Sequence, residues 1–248
     1  MAAMNNVLNA LEVLEAVGRA QPIGVSGLAR ELGLPKSTVQ RSLETLGAAG
    51  WIRQSSNGAW SLTLKPAVVG QQAGNEWGVR DAAQPVMTAL RESTGESIRL
   101  WLRDGSRAVL VQSMESTKAV RAITPVGVSL PAHASSAGKA ILAALLDDER
   151  EAIVAGPLEA LTAHTITEPA KLRRALDQTR KLGYAVTDSE AHLDVSGVAA
   201  AILSPDGRPI AALGIVVPAQ RSSTKTIAAF GALVRDAAAT VSDRLRDQ

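Results

Sequence analysis

The chain of 248 residues is 46% apolar and 20% charged, with a net charge of +2, four Trp, one Tyr, one Phe and no cysteine. That composition suits one large domain or two small ones with cores of Ala, Leu, Val and Ile, and excludes a mainly disordered chain. The missing cysteine excludes disulfides, Cys-ligated zinc and a thiol nucleophile.

A first helix is expected over 5–18, with Val7, Leu11, Leu14 and Val17 at helical spacing. The N-terminus lacks a basic stretch followed by an apolar one, so it reads as an amphipathic helix and not a signal peptide. The longest apolar runs, such as 140–146, are too short for a bilayer, and a cytoplasmic protein is expected. Pro22-Ile23-Gly24 reads as a turn, and Ser26 as the cap of a short helix over 27–31 closed by Gly33. Pro35 opens a third helix over 36–48, with Val39, Leu43 and Leu46 inward and Ser37, Thr38, Gln40, Arg41 and Glu44 outside. Two extended runs, 51–54 and 59–62, flank Ser55-Ser56-Asn57-Gly58; Asn-Gly is a hairpin signal because both residues accept positive φ. Three helices and a hairpin within 65 residues is the order of a winged helix-turn-helix.

A linker helix is expected over 66–75 and another helix over 79–92. Strands follow over 97–103 and 107–112, joined by Asp104-Gly105, with a third over 119–123. Helices over 135–146, 148–155 and 168–182 precede strands over 184–187, 197–203 and 210–217 and a last helix over 223–246. Interspersed strands and helices indicate an α/β domain, and so an α/β multidomain chain.

The reading helix of such a head offers polar side chains from one face and packs with the other. Gln40 suits adenine, and Arg41 suits guanine or a phosphate. Lys36, Ser37 and Thr38 sit at the helix start, where backbone N–H groups favour phosphate. Arg53 and the Asn57-Gly58 tip are placed to follow the neighbouring backbone. Residues 1–80 carry seven Lys/Arg against five Asp/Glu, and the remainder nineteen of each. An excess this small does not establish nucleic-acid binding. The competing reading is a three-helix fragment with a solvated polar face, against which the Asn-Gly wing argues.

SGLARELGLPKSTVQRSLETLGAAGWI and the short wing resemble the DNA-binding domain of the isocitrate-lyase-regulator (IclR) family over residues 23–65. The resemblance continues through LPAHASSAGKAILAAL at 130–145, Thr165-Ile166-Thr167, Lys181-Leu182-Gly183-Tyr184 and Asp188-Ser189-Glu190. Gly197-Val198-Ala199-Ala200 and Ile210-Ala211-Ala212-Leu213 complete it, in family order and over nearly the whole chain. It implies a winged helix-turn-helix over 1–65, a linker helix over 66–78, and a GAF/profilin-like effector-binding and oligomerisation domain over 79–248. It also implies an effector pocket from Ser135, Ser136 and Ala137, the Asp188/Glu190 loop and the inner face of the last two strands. Ala200 stands where the family often has Cys, and Gly214 and Val216 where some members have Ser. Free N–H groups at a helix start suit a carboxylate. With so few polar groups, an aromatic or branched acid is expected over a very small keto acid.

The resulting expectation is a non-enzymatic regulator that binds double-stranded DNA at a pseudo-palindromic operator. It would act as a homodimer joined through the first helix and linker, with dimers paired through the sensing domains. Effector binding would shift the placement of the DNA heads; whether this represses or activates is not written in the sequence. Simpler readings make Ser135 and Ser136 plain helix caps and Asp188 and Glu190 a solvated turn. Ser136-Ala137-Gly138-Lys139 fits the Ser-x-x-Lys pattern of a hydrolase, but its partner motifs are missing. A DNA-binding architectural protein without an effector is a third alternative. Asp188, Glu190 and His192 alternate, but no second close pair completes a metal site, and neither metal nor cofactor is expected.

Overall fold

The computed structural model describes residues 5–72 and 78–247, and the chain divides into two compact units, Met1–Gly74 and Asn75–Gln248. The first contains α1 (Asn5–Ala20), α2 (Val25–Leu32), α3 (Lys36–Ala48), β1 (Ile52–Gln54), β2 (Trp60–Leu62) and α4 (Lys65–Gln72). Its core joins Val13 and Val17 of α1, Leu28 of α2 and Val39, Leu43 and Leu46 of α3 to Ile52 and Trp60 of the hairpin.

Several local expectations change. The stripe predicted on α1 is split: Val13, Ala16 and Val17 enter the core, while Val7, Leu8 and Leu11 remain about half exposed. Helix α2 starts earlier than predicted, with Gly24 at its N-cap, so Ser26 lies inside the helix and caps nothing. The wing pairs Ile52 with Leu62 and Gln54 with Trp60. At its tip only Gly58 has positive φ, at 82°. Asn57 braces the turn with its side chain instead: Oδ1 accepts from Ser55 Oγ at 2.6 Å and Ala59 N at 3.2 Å. Lys65, opening α4, donates to Ala49 O at 2.8 Å and lies 5.3 Å over the Trp51 ring. The linker helix expected over 66–78 extends past Gln72 onto residues 73–77, which lie outside the described residues.

The second unit contains α5 (Val79–Thr94), β3 (Ser97–Asp104), β4 (Arg107–Met114), β5 (Ser129–Pro131), α6 (Ser136–Ala144) and α7 (Asp147–Val154). It continues with α8 (Pro169–Leu182), β6 (Ala185–Asp188), β7 (Val195–Leu203), β8 (Pro209–Pro218) and α9 (Thr224–Arg246). The sheet order is β5-β4-β3-β8-β7-β6, with every neighbouring pair antiparallel. The two-residue period of each strand sorts side chains between the faces. Ile98, Leu100, Val198, Ala200, Leu213 and Ile215 pack with α5 and α9. Trp101, Ala199 and Ala212 pack with Ala137, Ala140 and Ile141 of α6 on the other face.

The strand expected over 119–123 does not form. Val120 and Ile123 are exposed, and β5 occupies the sheet edge beside β4. Without a pairing partner, β-branched residues do not make a strand. Side chains hold this segment instead: Arg99 Nη2 donates to Ala122 O at 2.8 Å and Arg221 Nη2 to Val120 O at 3.0 Å.

Glu96, at the head of β3, is 2% exposed and accepts from Arg221 at 2.8 and 3.0 Å and from Lys118 at 2.7 Å. Burial alone would raise its carboxyl; the bonds and charges of Arg221 and Lys118 outweigh that and hold it below the ordinary glutamate value. A lowered carboxyl favours the fold above the unfolded value of 4.5, and the benefit is lost as pH falls through the lower folded value. Glu96→Gln should therefore lower stability by about 2 kcal/mol at pH 7. The gap from the parent protein should narrow in urea titrations as pH falls through the folded value. An equal gap across that range would assign the loss to packing.

Candidate functional site

Ser37, Gln40, Arg41 and Glu44 recur at helical i, i+3, i+4 and i+7 spacing and share the face of α3 opposite Val39, Leu43 and Leu46. Lys36, Ser37 and Arg41 are exposed, as are Arg53 and Asn57 on the wing, while Thr38 and Gln40 are partly buried. Among the described residues no ion pair occupies Lys36, Arg41 or Arg53. Pro35 O takes the amides of Thr38 and Val39, which leaves those of Lys36 and Ser37 at the helix start for an outside acceptor. Gln40 is not free: its Nε2 donates to Glu44 Oε1 at 2.7 Å. Thr38 and Arg41 also border a groove against Asn6, Asn9 and Ala10 of α1.

The second unit holds a narrow cleft between α6 and the sheet, with an internal volume of about 40 Å³. Small residues make the room. A Cβ on Gly197 would lie 2.6 Å from Ser136 Oγ, and Gly214 stands between Arg99 of β3 and Ala199 of β7. Ser135 Oγ caps α6 by accepting from Gly138 N at 3.0 Å, and Ser135 O takes the Lys139 amide. The amides of Ser136 and Ala137 are left on the cleft wall, where a partial positive charge gathers.

Of the residues expected here, Ser135, Ser136, Ala137, Gly214 and Val216 line the cleft, and Asp188, Glu190 and Ala200 do not. Ala200 has the opposite strand parity and packs in the α5/α9 core. Asp188 is exposed and accepts from Ser196 Oγ at 3.0 Å and Ser189 Oγ at 3.2 Å; its neighbour Thr187 faces the cleft. Glu190 turns away to Lys139 Nζ, at 2.5 and 2.6 Å. Burial pushes the Lys139 ammonium down from the lysine range, and Glu190 opposes that shift. With Lys139 committed to Glu190, the Ser-x-x-Lys sequence is a helix start with an occupied lysine.

Sequence reasoning missed Arg99, Trp101 and Thr124 on the cleft wall, while Gly197 belongs to the inner strand face that was expected there. The signal for Arg99 was its strand: among the apolar residues of SIRLWL it is the one charge, and a charge inside a strand buried on both faces needs a partner. Burial lowers its guanidinium, with the Glu115 charge opposing, though an arginine remains charged. His192, considered above as a metal ligand, is at the cleft. Among the described residues no cluster of three His, Asp or Glu is arranged to hold a metal ion.

Residues 7–56 match the family model of the IclR helix-turn-helix domain, and residues 71–243 that of the bacterial transcriptional regulator IclR C-terminal region. The transcriptional repressor IclR of Escherichia coli K12 is 31% identical over 243 residues, covering 96% of this chain and 89% of that protein. The transcriptional repressor AllR of the same strain is 34% identical over 245 residues, covering 98% and 90%. The crystal structure of Thermotoga maritima IclR has the same fold, with a TM-score of 0.82, 24% identity and coverage of 98% and 100%. An IclR homologue of Microbacterium hydrocarbonoxydans, crystallised with 4-hydroxybenzoate, gives a TM-score of 0.81 at 25% identity, covering 98% and 100%. The hydrolase alternative finds no support in these matches. A helix-turn-helix head joined in one chain to an α/β unit thus has its place: the chain belongs to the IclR family of DNA-binding bacterial transcriptional regulators.

Proposed function

We propose that this protein is a repressor whose affinity for its operator is altered by a small carboxylic acid bound between α6 and the sheet. The observation that carries the reading is the face of α3 that exposes Ser37 and Arg41, in the same chain as a cleft whose one fully charged group is buried Arg99. The names of the two Escherichia coli relatives support repression, and the 4-hydroxybenzoate in the Microbacterium homologue supports an aromatic acid. The DNA-binding domain is residues 1–65 and the linker 66–78, with 79–248 binding the effector. Lys36, Ser37, Thr38, Arg53 and Asn57 follow phosphates, and Gln40 and Arg41 reach base edges. Half-exposed Val7, Leu8 and Leu11 on α1 support a homodimer, whose two heads read a pseudo-palindrome; second units pair dimers into tetramers. The protein works in the cytoplasm and turns nothing over, since Ser136 has no free lysine base. Among the described residues no helix is long and apolar enough to cross a membrane.

The test is a fluorescence anisotropy titration on the DNA upstream of its own gene, at fixed salt, with and without aromatic and keto acids. Specific binding changed by an aromatic acid is the expected result; binding indifferent to every acid would leave only the DNA role. Arg41→Ala should weaken operator binding by about 1–3 kcal/mol if Arg41 reads a base. Unchanged affinity would move the reading contact elsewhere on α3.

A further inference from the structure

Arg99 projects from β3 into the α6 cleft and is 3% exposed. Its Nη2 donates to Ala122 O at 2.8 Å, and its Nε has no hydrogen-bond partner. Among the described residues no carboxylate forms an ion pair with it, and no Asp or Glu lines the cleft. Glu115 is the acid whose charge reaches Arg99, and its oxygens are held by Ser113 Oγ at 2.7 Å and Ser97 Oγ at 3.5 Å. A buried charge without a counter-charge is costly, and a guanidinium offers a planar fork of donors that matches a carboxylate. Across the strand pair, Gly214 stands in register with Arg99 and places no side chain beside it.

We propose that Arg99 is the specificity-determining residue of this cleft: its guanidinium takes the carboxylate of the effector and makes the protein select acids over neutral molecules of the same shape. This rests on reading the cleft as the effector site. The full charge of a guanidinium exceeds the half charge of a helix start, so the carboxylate goes to Arg99. The α6 start, with the amides of Ser136 and Ala137, then takes the second polar group of the effector.

The experiment compares the full chain with Arg99→Met. Thermal unfolding is followed alone and with benzoate, 4-hydroxybenzoate and their two amides, and operator binding is measured with the same four compounds. The acids should raise the melting temperature of the parent protein and the amides should not. Arg99→Met should lose acid affinity about tenfold or more. Without ligand it should melt within a few degrees of the parent, because the removal of an unpaired buried charge offsets the lost bond to Ala122 O. A variant that melts far below the parent would show Arg99 to be structural and overturn the proposal. Equal stabilisation by acid and amide would overturn it too, yet leave the cleft as a binding site. In that case Gly197→Val, which fills the cleft, should abolish both responses. No response of melting or operator binding to any compound would overturn both readings.

Discussion

Gly138→Ala is expected to destabilise the second unit by about 3 kcal/mol or more, the upper range for overpacking. The added Cβ would lie 2.2 Å from both Cα and O of Ala132 and 2.6 Å from its carbonyl carbon. These are backbone atoms, so no rotamer change relieves the clash. The turn they belong to is pinned on both sides: Ala132 N donates to Ser106 O at 2.9 Å, and His133 Nε2 lies 2.9 Å from Glu159 O. The relief available is movement of the start of α6, which carries Ser135, Ser136 and Ala137 of the cleft. Any folded remainder should therefore also lose effector binding. Urea unfolding checks the first effect and ligand-dependent melting the second. Gly70→Ala, inside α4 where a Cβ meets nothing within 4 Å, is the control and should leave stability unchanged or raise it by about 1 kcal/mol. A loss below about 1 kcal/mol for Gly138→Ala would mean that α6 and the turn slide apart easily, against the pinned geometry.

The DNA-reading head was legible because its signals are local. Pro35 and the Val39-Leu43-Leu46 spacing place α3 at Lys36–Ala48, as the sequence predicts, and Gly33 closes α2 with φ of 66°. Ser26 misled because a capping side chain is interchangeable with the backbone geometry available at Gly24. The cleft was legible only in part, because it is assembled by strand register, and a shift of one residue reverses a side chain's face. Thr187 therefore faces the cleft where Asp188 was expected, and Ala200 enters the opposite core beside Ala199, which faces α6. The segment over 119–123 has strand-forming residues, but pairing depends on which neighbour reaches the sheet edge first in space, and β5 holds it. Arg99 was visible as a charge in an apolar strand; its missing counter-charge is a three-dimensional fact.

Glu190→Gln should cost about 3–5 kcal/mol, because it leaves the Lys139 ammonium buried without a counter-charge. Lys139 is 2% exposed and Glu190 7% exposed, and the pair joins α6 to the loop that follows β6. That loop is fastened further by Thr162 and Thr165, whose hydroxyls donate to Ser189 O at 2.7 Å and Glu190 O at 2.6 Å. Because the loop keeps these backbone bonds, the double variant Lys139→Met with Glu190→Leu should recover most of the loss; replacing both members of a buried pair by apolar groups is often neutral. Chemical denaturation of the two single variants and the double one gives the coupling directly. The same cycle bears on function. Ala191 and His192, the next two residues after Glu190, line the cleft, so the ion pair fixes that wall of the cleft. If the pair only adds stability, the double variant should bind acids as the parent does. If it orients that wall, the double variant should regain stability and still bind acids more weakly, and the ion pair would then be a positioning device that adds little net stability.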